Sequence, residues 1–121
     1  MERMGFWRKE VIEPMLDADM KAAMAEQVAW IAREPGNARP YYQLAQLYRT
    51  QARQDEALGL LLEAVRLRGD FAEAHVSLAE IYCVRDDAGA AWRHARLAGA
   101  AGNTNAVALL ERHGVVNPSL E

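Results

Sequence analysis

The sequence predicts an all-α fold, a short superhelical solenoid of antiparallel helix pairs. Two observations carry this expectation. First, two stretches match at an offset of 34 residues: Ala38 with Ala72, Leu44 with Leu78, Ala45 with Ala79, Tyr48 with Tyr82, Ala57 with Ala91 and Ala64 with Ala98. Leu47 and Ile81 match conservatively. A fixed period of this size is that of one helix–turn–helix unit per repeat. Second, Ala is abundant, while Gly and Pro sit at punctuating positions, so the backbone balance favours helix.

The elements follow in order. Pro14 suits the first turn of a helix, where its missing N–H costs nothing. Leu16, Met20, Ala23, Met24, Val28 and Ile31 then form an apolar stripe, interrupted by Gln27, on a helix ending near Arg33. Glu34-Pro35-Gly36 stops it. Asn37 is the expected N-cap of the next helix, whose buried face is Tyr41, Leu44, Ala45, Leu47 and Tyr48. A turn at Ala52–Gln54 follows. Asp55 and Glu56 place negative charge at the positive end of a third helix. Its stripe is Ala57, Leu58, Leu61, Ala64, Val65 and Leu67, and Gly69 is the expected C′ residue. Asp70 is expected to cap the helix carrying Ala74, His75, Leu78, Ala79, Ile81 and Tyr82. Asp86-Asp87 lead into an Ala-rich helix from Ala88 to about Gly99. Thr104 is expected to cap a last short helix carrying Val107, Leu109 and Leu110 and closed by Gly114.

Size and charge narrow the function classes. A chain of 121 residues corresponds to one domain. Net charge is −3 with both signs interspersed, so the basic patch of a nucleic-acid binder is missing. No apolar run reaches about 18 residues, so no membrane span is expected. Met1–Leu16 carries Arg8, Lys9 and Glu10 in its middle and does not read as a signal peptide. The lone Cys83 cannot form an internal disulfide, which points to a reducing, cytoplasmic setting.

The recurring small residues sit where two helices would cross closely. Ala45 and Ala79 lie midway along the first helix of each unit; Ala57 and Ala91 open the second, and Ala64 and Ala98 lie two turns later. Tyr48 and Tyr82 would fill the space towards the following unit. No single pair buries its stripe, so each unit leans on its neighbours.

This pattern resembles the tetratricopeptide repeat. Tyr41-x2-Leu44-Ala45-x2-Tyr48, then Ala57, Leu61 and Ala64, match one unit. His75-x2-Leu78-Ala79-x2-Tyr82, then Ala91, Ala95 and Ala98, match the next. The likeness covers residues 38–105. Gly69 and Asn103 stand where the family usually has Pro, His75 replaces an aromatic residue and Ala95 a large apolar one. The resemblance implies a right-handed superhelix of two full repeats with capping helices at both ends. The expected organisation is an N-terminal extension over 1–13, a capping helix or degenerate half-repeat over 14–36, repeats over 37–71 and 72–105, a C-terminal capping helix over 106–114, and a tail over 115–121.

The resemblance also implies a non-catalytic scaffold or adaptor that binds a protein or peptide in a concave groove lined by the first helix of each unit. Carried over by register, the groove residues are Arg39, Tyr42, Gln43, Gln46 and Arg49 from the first unit, and Glu73, Val76, Ser77, Glu80 and Cys83 from the second. Independently of the family, Tyr42 lies off the Tyr41/Leu44/Ala45/Tyr48 stripe, on a face it shares with Arg39, Gln46 and Arg49. Tyr and Arg are over-represented in interface hot spots. The alternative for these residues is an ordinary solvated helix face. A second function class is self-assembly into a homo-oligomer through Phe6, Trp7 and exposed helix faces, set against a simple extension of the capping helix.

No catalytic or cofactor chemistry is expected. His75, His94 and His113 are scattered without metal-ligand spacing, and Cys83 stands in no nucleophile motif. His75 reads as a packing residue and Cys83 as a half-buried thiol. Trp92 is expected to pack on the second helix of its unit. No metal and no glycine-rich phosphate loop is indicated.

Overall fold

The punctuating residues divide the chain into helices separated by short turns. The computed structural model describes residues 13–118, in which α1 spans Glu13–Arg33, α2 Ala38–Thr50, α3 Gln54–Leu67, α4 Ala72–Val84, α5 Ala88–Ala100 and α6 Asn105–Arg112. The architecture is all-α, with no strand among the described residues. Phe6 and Trp7 lie outside them.

The 34-residue offset recurs in the backbone. Ala38 and Ala72 open α2 and α4, Thr50 and Val84 close them, and Gln54 and Ala88 open α3 and α5. The Arg53 N–H donates to the Tyr48 carbonyl at 2.9 Å, and the Asp87 N–H donates to the Tyr82 carbonyl at the same distance. Ala106, one further period on from Ala72, is buried near the start of α6.

Side-chain caps fix the starts of α2 and α5. The Asn37 side chain accepts from the Arg39 N–H at 3.0 Å, and the Asp87 side chain accepts from the Ala90 N–H at 3.1 Å. Three expectations at helix ends are corrected. Phe71, not Asp70, holds the N-cap position of α4, because its fully buried ring anchors the chain there. Asp70 stays in solvent and pairs with Arg68 at 3.3 Å. Thr104 makes no side-chain cap; instead Asn103 accepts from the Asn105 N–H at 3.0 Å, a local turn bond open to Asn. Gly69 does not take the left-handed conformation of a C′ glycine, since α3 runs out through an extended Arg68 with φ −140°. Gly114 does take it after α6, at φ 66°.

Two apolar clusters share α4. Leu61, Ala64, Phe71, Ala74 and Leu78 belong to the cluster that joins α2, α3 and α4. Ala79, Ala91, Trp92, Ala106 and Leu110 belong to the one that joins α4, α5 and α6. Leu78 and Ala79 thus face opposite clusters, and Tyr82 packs on both. Ala45, Ala57, Ala64, Ala91 and Ala98 are fully buried, as close crossings require. Leu61, Leu78 and Leu110 are fully buried too, each stabilising by about 1.5–3 kcal/mol of transfer free energy.

The ends depart from the expected pattern. On α1, Met20, Ala23, Met24 and Ile31 are half-buried, but Val28 is 53% exposed and drops out of the stripe. The helix packs on α2 and turns Val28 away from it. At the other end, residues expected as tail lie back over α5: the buried Trp92 donates its Nε1–H to the Val115 carbonyl at 3.0 Å, and Arg96 donates to Asn117 at 3.3 Å. No helix among the described residues is long and apolar enough to cross a membrane.

Candidate binding surface on α2, α4 and α6

Arg39, Tyr42, Gln46 and Arg49 recur at three- and four-residue spacing, which places them on one face of α2. The same spacing aligns Glu73, Val76, Ser77, Glu80 and Cys83 on α4. The structure joins the two sets. The Tyr42 ring lies 5.1 Å from the Phe71 ring at 45°, and the Arg39 guanidinium lies over the same ring at 5.2 Å. Gln46 Nε2 donates to Ser77 Oγ at 2.9 Å. Arg49 Nη1 stands 3.7 Å from Glu80 Oε1.

Several expected partner contacts therefore hold the two helices to each other. Ser77 is only 4% exposed and lies beneath Gln46, so it presents no surface to a partner. Tyr42 is half-buried rather than on the solvent side, because Phe71 gives its ring an apolar neighbour. Val76 and Cys83 are half-buried against the α5–α6 cluster. Gln43 is half-buried, while Arg39 and Glu73 are exposed.

Sequence reasoning missed Phe71, on which two of these side chains, Arg39 and Tyr42, converge, joined at 4.9 Å by Arg68. A large apolar residue between Gly69-Asp70 and Ala72 was its only signal. Stacked cations and an aromatic neighbour close over its buried ring, contacts worth roughly 0.5–1 kcal/mol each at a surface.

Farther along the same face, at the C-terminal ends of α2 and α4, lies a cavity of about 480 Å³. Its walls are Arg49 from α2, Gln54 from α3, Glu80, Ile81, Cys83 and Val84 from α4, Arg85 beyond it, Leu109 from α6 and His113 after it. Val84 is 83% exposed, an apolar side chain with little covering it. Arg85 is held by an ion pair to Asp55 and Arg49 by the looser one to Glu80, so the rim is charged and the wall between is apolar. Arg49, Glu80 and Cys83 are the expected groove residues that this cavity gathers.

Two of the three histidines, expected to be scattered, meet. His75 Nδ1 and His94 Nδ1 stand 3.0 Å apart, and His75 Nε2 is 2.8 Å from the Gly69 carbonyl. Both side chains are buried. Tyr82 stacks on His94 at 5.6 Å and 3°. Burial, then His75, then Arg93 hold the His94 imidazole down to about 4 from its ordinary 6.5. Among the described residues no three His, Cys, Asp or Glu side chains converge here or elsewhere. Set against known proteins, the chain matches no family model and no curated protein.

Proposed function

We propose that this chain is a non-catalytic interaction module, a short right-handed solenoid of tetratricopeptide type that holds a protein or peptide segment against α2, α4 and α6. The observation that carries the reading is the return of the same helix starts and turn hydrogen bonds after 34 residues. Repeats of this kind stack to form an extended surface along their first helices. The partner segment would lay an apolar side chain on Ile81, Val84 and Leu109, with Arg49 and Glu80 meeting its polar groups. Arg39 and Glu73, exposed at the other end of the face, would extend the contact. Gln46, Ser77 and Phe71 serve instead to fix α2 against α4.

Val84 gives the cleanest test, because it is exposed and ends α4, where a cation suits the helix dipole. Val84→Lys should reduce partner capture in a quantitative pull-down at least about tenfold, roughly 1.4 kcal/mol, with helix content unchanged. Undiminished capture would exclude this surface. A second reading, self-assembly, draws on Met15 and Val28, which α1 leaves 62% and 53% exposed. Light scattering separates the two, since a clean monomer across the micromolar range removes self-assembly.

A further inference from the structure

The Gly69 carbonyl can only accept a hydrogen bond, so His75 Nε2 carries a hydrogen. Neutral His75 then presents a lone pair at Nδ1, and the bond at 3.0 Å requires His94 Nδ1–H as donor. One hydrogen lies between the two rings. This bond ties α4 to α5, and the Gly69 carbonyl extends the chain of bonds to the turn after α3.

We propose that His75 and His94 form an acid-opened clasp between α4 and α5, closed by the one hydrogen shared between the neutral rings and opened as acid puts charge on the buried His94 imidazole. A proton added to His94 enters at Nε2, the ring nitrogen left without a hydrogen. The resulting imidazolium can still donate through Nδ1, but its charge is held away from water, and parting the helices relieves that cost.

The surroundings oppose a charge on His94: burial weighs most against a proton there, followed by His75 from α4 and Arg93 from its own helix. From α4, Tyr82 covers the His94 ring and helps keep it dry. The sign follows from linkage. The folded protein takes up its proton at His94 at a lower pH than the unfolded chain does. The clasp's contribution is therefore complete above about 6.5 and is lost as pH falls towards about 4. Because α4 lends Glu80, Ile81, Cys83 and Val84 to the cavity, loosening it from α5 moves one wall of the proposed binding surface.

Nitrogen-15 NMR of the histidine rings in the unaltered protein reads the clasp directly. At pH 7.5, His75 should show the Nε2–H tautomer and His94 the Nδ1–H tautomer; any other pair of tautomers overturns the proposal. Hydrogen exchange between pH 6.5 and 4.5 tests the opening. Protection factors, which remove the intrinsic pH dependence of exchange, should fall in α4 and α5 relative to α3 by up to about tenfold per pH unit. In His94→Gln the selective fall should vanish. An equal fall in every helix, or the same selective fall in the folded variant, overturns the clasp. Should the variant not fold, the tautomers and exchange of the parent still decide the matter.

Discussion

Ala52 and Asp86, 34 residues apart, share one left-handed backbone conformation, with φ 58° and 59°. Each sits between the two helices of a pair, and each is followed by the residue whose N–H returns to a tyrosine carbonyl, Arg53 to Tyr48 and Asp87 to Tyr82. The turn is thus set by backbone geometry and not by side-chain identity, which differs between the two sites. Asp enters the left-handed region with little penalty, whereas Ala pays about 1–2 kcal/mol there.

That asymmetry predicts that Ala52→Gly stabilises the protein. Glycine removes the steric penalty but adds freedom to the unfolded chain, worth roughly 0.5–1 kcal/mol the other way. The net gain should be about 0.5 kcal/mol, read as a higher urea midpoint at unchanged slope. A midpoint at or below that of the parent would contradict the strained turn.

Phe71 should be the most sensitive position between the two pairs. Its ring is fully buried, and Arg39, Tyr42 and Arg68 close over it. Phe71→Ala should cost about 3–5 kcal/mol, because the side chains around the vacated space collapse only in part. Tyr42→Ala, removing a half-buried ring, should cost less, and the double variant less than the sum of the two singles. Strict additivity in urea unfolding would mean that the two rings do not act together.

What was legible in the sequence was what is local or periodic. Asn37 announces its cap within two residues, and the alanines at 45, 57, 64, 91 and 98 recur in register because close helix crossings exclude anything larger. Phe71 belongs to no stripe, so periodicity passes over it, although its burial decides where α4 starts. The site was legible as a face and not as a set of pairs. Gln46 meets Ser77 across 31 residues and His75 meets His94 across 19, distances in sequence that only the packing of neighbouring helices closes. Sequence register places such residues on a helix face, but the spacing between helices decides whether they reach a partner or each other.

The C-terminal chain supplies the last prediction. Gly114 reverses the backbone after α6 at φ 66°, and Trp92 then donates its indole N–H to the Val115 carbonyl. Val115 packs on the cluster that contains Trp92, Ala95 and Leu110. Trp92→Phe keeps most of the apolar surface but removes the donor, leaving a half-buried carbonyl to water. Global stability should fall by about 1 kcal/mol for the hydrogen bond, with a further loss for the smaller ring. The sharper readout is local: hydrogen exchange and proteolysis should quicken at residues 115–118, while α2 and α3, in the other cluster, keep their protection relative to global unfolding. If residues 115–118 are as protected in the variant as in the parent, the indole bond does not hold the chain to α5.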